Sequence, residues 1–155
     1  MPLTPAQRTT LKTDVTSAAN AVALGAFITA EDWPSVATFY NQNSVASVWR
    51  PNVSARELTG GIVGSAYDSL SVAKQNGYIA VTQGGVIDTT QATIRAWFSD
   101  IFGAGATLTN LTAIAQRLGT RFEILFSSVA GTANVTTMFG QLVSGADIQD
   151  AMLHG

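Results

Sequence analysis

At 155 residues the chain suffices for one domain with its own core, burying about two-thirds of the surface its unfolded form would expose. Only 12% of residues are charged, against roughly 25% in ordinary soluble domains, and the net charge is -2 with its basic residues scattered. No cationic stripe exists to neutralise a run of phosphates, which argues against sequence-specific nucleic-acid binding, and the absence of cysteine removes disulfides, thiol catalysis and cysteine-ligated zinc.

The N-terminus Met1-Pro2-Leu3-Thr4 lacks the basic and apolar regions of a signal peptide. Thr4, Pro5 and Gln7 supply a capping hydroxyl, a proline at the first helical position and a capping-box partner, so a helix is expected from Pro5 to about Ala19. The uncharged stretch Val15 to Ala30 includes Thr16, Ser17, Asn20 and Gly25 and falls short of the about 20 apolar residues that span a bilayer. It reads as a buried or interface segment, with no membrane partner.

Asp32 with Pro34 opens a second helix through Tyr40, which Asn41 to Ser44 should end. Ser44 to Val53 alternates Val45, Ser47 and Trp49 against Ala46, Val48 and Arg50 before Pro51, the pattern of an extended arm over residues 44–53. Ser54-Ala55-Arg56-Glu57 is another capping box, whose helix Gly60-Gly61 and Gly64 keep short. From Ser65 to about Gln83, small and apolar residues recur at three- and four-residue spacing.

Asp88 and Gln91 open a helix on which Ile94, Trp97, Phe98 and Ile101 keep the spacing of a core face, and Gly103 supplies its stop. Thr107 or Thr109 is then expected to start the longest helix, with Leu111, Ile114, Leu118, Phe122, Leu125 and Val129 as one stripe and Asn110, Arg117 and Arg121 as another. After Gly131, Val135-Thr136-Thr137 with Met138-Phe139 favours a second extended segment over 131–143, and Ser144 with Asp147 caps a terminal helix to about Leu153. The sum is a mainly α fold: a single multi-helix domain over residues 1–155, with extended arms and room for a short β-hairpin near the C-terminus.

Reactive chemistry is scarce. The only histidine, His154, lies beside the C-terminus, and the acidic pairs Glu31-Asp32 and Asp147/Asp150 fall at helix starts, where capping explains them. The glycine pairs lack the Lys-Ser/Thr of a phosphate loop, and the sequons at Asn52, Asn110 and Asn134 match chance in a Thr-rich chain. No catalytic, cofactor or metal residue is expected.

Protein contact is the better-supported chemistry. Trp49 and Arg50 are residue types enriched at interface hot spots; the competing expectation, equally weighted, is a Trp folded onto its own core with Arg50 paired to an acid. Arg117 and Arg121 are expected on a solvated face or paired to carboxylates of a neighbour. Met138 and Phe139 complete the candidate interface residues.

Several patches then combine: Leu3-Thr4 with Ala6-Gln7, Tyr40-Asn41, Ala46-Ser47 with Val48-Trp49-Arg50, Asp68 with Leu70 and Lys74, Ile94-Arg95-Ala96, and Thr120-Arg121-x-Glu123-x-Leu125-Phe126 within Arg117 to Ala151. In order and spacing they resemble a family of small virion structural proteins of tailed bacteriophages. Departures lie at Ala115-Gln116, at Gln75 to Thr82 and at the turn Gly131 to Thr137.

The resemblance implies a non-enzymatic virion subunit. A helical fold with arms would place it as a head-to-tail adaptor (connector) ring between portal and tail, made in the bacterial host cytoplasm, with DNA passing through the ring. The alternatives are a capsid decoration (cement) protein or a tail-completion (terminator) protein. A small lytic hydrolase would need a histidine or carboxylate constellation that the sequence does not offer.

Overall fold

The computed structural model describes residues 2–155. Local signals set many helix boundaries. The capping box of Thr4 and Gln7 forms at the head of α1 (Pro5–Val15), and Asp32 accepts the Ser35 N–H at the head of α3 (Trp33–Asn41). Between them lies α2 (Ala21–Thr29). Ser54 and Glu57 cap α4 (Ala55–Gly60), and Ser71 caps α5 (Val72–Thr82), which begins later than the spacing from Ser65 predicts. Further on come α6 (Ala92–Phe102), stopped at Gly103, and α7 (Ala106–Ile114). Ser144 and Asp147 form the last capping box, on α9 (Gly145–His154).

The expected mainly α bundle is not what the chain builds. Helix takes 55% of it and strand 16%, in a mixed α/β fold with a four-stranded sheet. The segment read as a reaching arm is β1 (Asn43–Trp49), a central strand. It pairs antiparallel with β4 (Gln116–Thr120) and parallel with β6 (Ala133–Thr136), and β6 pairs antiparallel with β5 (Ser127–Ala130). The order is β4-β1-β6-β5, so β4 and β5 are the edges; a separate two-stranded ladder joins β2 (Val53–Ser54) to β3 (Val86–Ile87).

The expected longest helix is also overturned. It resolves into α7, β4, the five-residue α8 (Arg121–Leu125) and β5. Two residues explain the break. Gly119 lies against β1 so closely that a Cβ would meet Val48 Cγ1 at 2.8 Å and Ile124 Cδ1 at 3.0 Å, a fit that only a bare backbone makes. Thr120 then starts a new helix: its hydroxyl accepts the Glu123 N–H while Glu123 accepts the Thr120 N–H, a capping box inside what periodicity reads as one helix. Strand pairing outweighs the helical spacing of Leu111 to Val129. Leu118 and Val129, assigned to the core stripe, are exposed, and Trp97 is 37% exposed although Phe98 and Ile101 beside it are buried.

Two hydrophobic clusters divide the interior. The first joins both ends of the chain: Leu11 and Val15 of α1, Leu24 of α2, Val36 and Tyr40 of α3, Phe122 of α8, Met138, and Ile148 and Ala151 of α9. The second is built from residues 53 to 111 around Val53, Leu58, Tyr78, Phe98, Ile101 and Leu111, where Tyr78 meets Tyr67 and Phe102 edge to face. A small cluster of Trp49, Ala115 and Ala133 lies at the point where the chain leaves the sheet and returns to it.

Candidate functional site

The sequence-selected residues fall into three places. The first is the junction between the two clusters. Trp49 ends β1 buried, its Nε1–H donating to the Ala130 carbonyl at 2.8 Å, with the Arg95 guanidinium 4.9 Å above its ring. Arg50 follows: its N–H donates to the Ala115 carbonyl, its Nη1 to the Ile114 carbonyl at 3.0 Å and its Nη2 to Glu57 at 2.9 Å. Fully buried Thr89 closes the junction with its hydroxyl 2.7 Å from the Arg50 carbonyl and 3.1 Å from that of Ala115, and Arg95 donates to the Thr89 and Thr90 carbonyls.

Trp49 therefore packs on its own core and Arg50 pairs with an acid of its own chain. Glu57 also accepts the Ser54 N–H and hydroxyl, and these with Arg50 hold its carboxyl down to about 2. Replacing Trp49 with Phe drops the Nε1–H and one fused ring of a buried side chain, and should cost about 2 kcal/mol or more in urea unfolding. Unchanged stability with altered assembly would instead mark Trp49 as a contact between chains.

The second place is built around Glu123, whose side chain is fully buried. Arg117 Nη1 donates to Oε2 at 2.8 Å and Nη2 to Oε1; the backbone N–H groups of Thr120 and Gly140 supply two more donors at 2.8 and 2.6 Å. Burial by itself raises this carboxyl, but the Arg117 and backbone hydrogen bonds outweigh it, and the net shift is downward. Arg117 also stacks 4.2 Å above the Phe139 ring. The bidentate carboxylate pairing expected of Arg117 thus occurs within the chain. Met138 is buried in the first cluster, its N–H donating to the Thr136 hydroxyl.

Arg121 occupies the third place. Its guanidinium lies 4.2 Å above the Phe39 ring and pairs with no carboxylate among the described residues. It borders a cleft of about 250 Å³ with Asp14, Ala19, Asn20 and Tyr40. Below, the Tyr40 hydroxyl donates to Asp14 at 2.5 Å and Asn20 Nδ2 to the same carboxylate at 2.9 Å. Burial, then the Asp14 hydrogen bond, pushes the Tyr40 hydroxyl far above its ordinary range, so it stays a proton donor.

Six residues read as one interface set therefore divide between internal scaffold and surface: Trp49, Arg50, Arg117 and Met138 are engaged inside, Phe139 is half-buried, and Arg121 is exposed. Glu123, Thr89 and the Asp14–Tyr40 pair were missed. For Glu123 a signal existed, since Thr120-Arg121-Phe122-Glu123 has the Thr-x-x-Glu form of a capping box.

Among the described residues no group of three His, Asp or Glu is placed to hold a metal ion, and no helix is long and apolar enough to cross a membrane. No protein-family model matches the chain and no match emerges among curated proteins or solved structures, so its function has to be argued from its own residues.

Proposed function

We propose that the chain is a non-enzymatic structural subunit of a tailed-phage virion, assembling with copies of itself in a ring at the head-to-tail junction. One observation carries the structural reading: the patches behind the phage resemblance map onto scaffold contacts. Val48-Trp49-Arg50 and Ile94-Arg95 meet at the junction, and Arg117, Thr120 and Glu123 form the buried ion pair and its cap. The polar groups of Trp49, Arg50, Arg95, Arg117 and Glu123 all have partners within the chain, while Arg121 of the same patches stands exposed beside the Asp14–Tyr40 cleft.

Ring assembly draws on the sheet. Its edges are two different strands, β4 and β5, with Leu118 48% and Val129 83% exposed. Pairing β4 of one copy with β5 of the next is heterologous and propagates until the rotation closes. Portal and tail proteins are then the neighbours above and below, with DNA in the channel.

The sheet also favours a second reading. An all-helical architecture was what separated an adaptor from the alternatives, and with a mixed sheet a tail-completion (terminator) ring fits equally. Reconstruction of the particle is the test: density for this chain in a ring between portal and tail supports the neck, and density on the capsid lattice makes it a decoration protein. Val129→Lys, which places a charge on the β5 edge, should leave the helical circular dichroism intact and abolish the ring in native mass spectrometry. A ring of unchanged size would refute edge pairing.

A further inference from the structure

In α2 composition and placement disagree. The stretch from Val15 to Ala30 is uncharged, and a helix apolar all round belongs in a core. Yet only Leu24 of α2 is buried: Val22 is 99% exposed, Phe27 is 38% exposed, and Ala21, Ala23, Ala26 and Thr29 face solvent. The face is continuous, built mostly of small residues, and open to close approach by another helix.

Near its two ends stand exposed side chains of opposite charge that make no ion pair among the described residues. Beside the N-terminal end, exposed Arg121 lies over the Phe39 ring and shares a cleft with Asp14, Ala19 and Asn20; the Asp14 carboxylate is taken up by the Tyr40 hydroxyl and Asn20, which leaves Arg121 the exposed charge without a carboxylate partner. At the other end, Glu31 is exposed, makes no ion pair among the described residues, and has a φ of 53°. Its N–H donates to the Ile28 carbonyl at 3.1 Å and that of Asp32 to the Phe27 carbonyl at 2.9 Å, the pair of hydrogen bonds that ends a helix through a left-handed residue. Glycine is the ordinary occupant there, so the chain holds a carboxylate where its backbone favours no side chain.

We propose that α2 seats the α2 of a second copy of this chain in an antiparallel, two-fold pair, with Glu31 of each copy meeting Arg121 of the other. The charges at the two ends make the face self-complementary, as a two-fold contact requires, and only the antiparallel orientation brings unlike charges together at both ends. The nine residues span roughly 14 Å, so both ends lie within reach of one contact. A membrane surface is the weaker occupant, because helices that lie in lipid headgroups carry lysine or arginine on their polar side and α2 has neither. The pair stands apart from the virion reading: it stops at two copies, whereas edge pairing propagates.

The experiment uses the full chain carrying Val129→Lys, so that edge pairing is absent and stoichiometry reports on α2 alone. Sedimentation at micromolar concentration should show a dimer. Val22→Glu should convert it to monomer with the same far-ultraviolet circular dichroism and melting temperature. Glu31→Arg and Arg121→Glu should each weaken pairing by about tenfold or more, and mixing the two variants should restore it, since both contacts then join unlike charges across copies. Glu31→Gly should raise the melting temperature of the subunit while weakening the dimer. A monomer across the concentration range, a dimer indifferent to Val22→Glu, no rescue on mixing, or α2-dependent binding to anionic phospholipid vesicles in place of dimerisation would overturn the proposal.

Discussion

Glu123→Ala should be the most damaging single substitution outside the aromatic core, costing about 3 to 5 kcal/mol. It removes a buried carboxylate that satisfies the Arg117 guanidinium and two backbone N–H groups at once. The Thr120 and Gly140 donors are left without their acceptor, and Arg117 loses the partner that fixes it over Phe139. In a domain of this size the melting temperature should fall by about 10 °C.

The same site predicts an acid response of known sign. Because the folded carboxyl is held below its ordinary value, its contribution is complete above the unfolded glutamate range, about 4.3, and is lost as the pH falls through the folded value. Wild-type stability should therefore decline with acid below that range, and Glu123→Ala should lessen that decline, leaving the share that comes from Glu57 and Asp88. A variant as acid-sensitive as wild type would place the titrating group elsewhere.

Phe122→Ala should cost about 3 to 5 kcal/mol by opening a cavity in the first cluster. Phe122 is 1% exposed and stacks edge to face on Phe126 at 5.2 Å. The informative control is Leu118→Ala. A continuous helix would bury both residues on one stripe, whereas the strand-and-turn structure leaves Leu118 half exposed on a sheet edge. Leu118→Ala should cost about 1 kcal/mol or less in the same urea titration, a difference that separates the two architectures.

The contrast between these residues shows what the sequence could convey. Caps are local, a side chain meeting a backbone group three residues away, and they were legible at Thr4, Asp32, Ser54 and Ser144. Sheet pairing is not local: β1 meets β4 across some seventy residues, and no spacing within either segment reveals the partner. The expected helix holds through Ile114 and fails over residues 116 to 129, because apolar positions at helical intervals also serve a strand, a one-turn helix and a second strand in succession. Thr120 and Glu123 mark the break with a capping box that sits inside the helical spacing. At the candidate site, residue types enriched in interfaces do not by themselves name their partner, because the same aromatic and guanidinium chemistry that binds a neighbour also ties Trp49 to Arg95 and Arg117 to Glu123 inside one chain.

The route of the chain through its two clusters has a consequence for synthesis. Arg50 and Ala115 are joined by a backbone hydrogen bond, so residues 50–115 leave and re-enter at one point. Their cluster closes from contacts within that stretch and is ready to form while the ribosome is still adding the remainder. The other cluster needs Leu11 against Ile148 and Ala151, a loop spanning most of the polypeptide, and its formation waits for α9. Until then α1 to α3 and β1 stand without their complement, and the nascent chain depends on α9 to bring α1 to α3 into register.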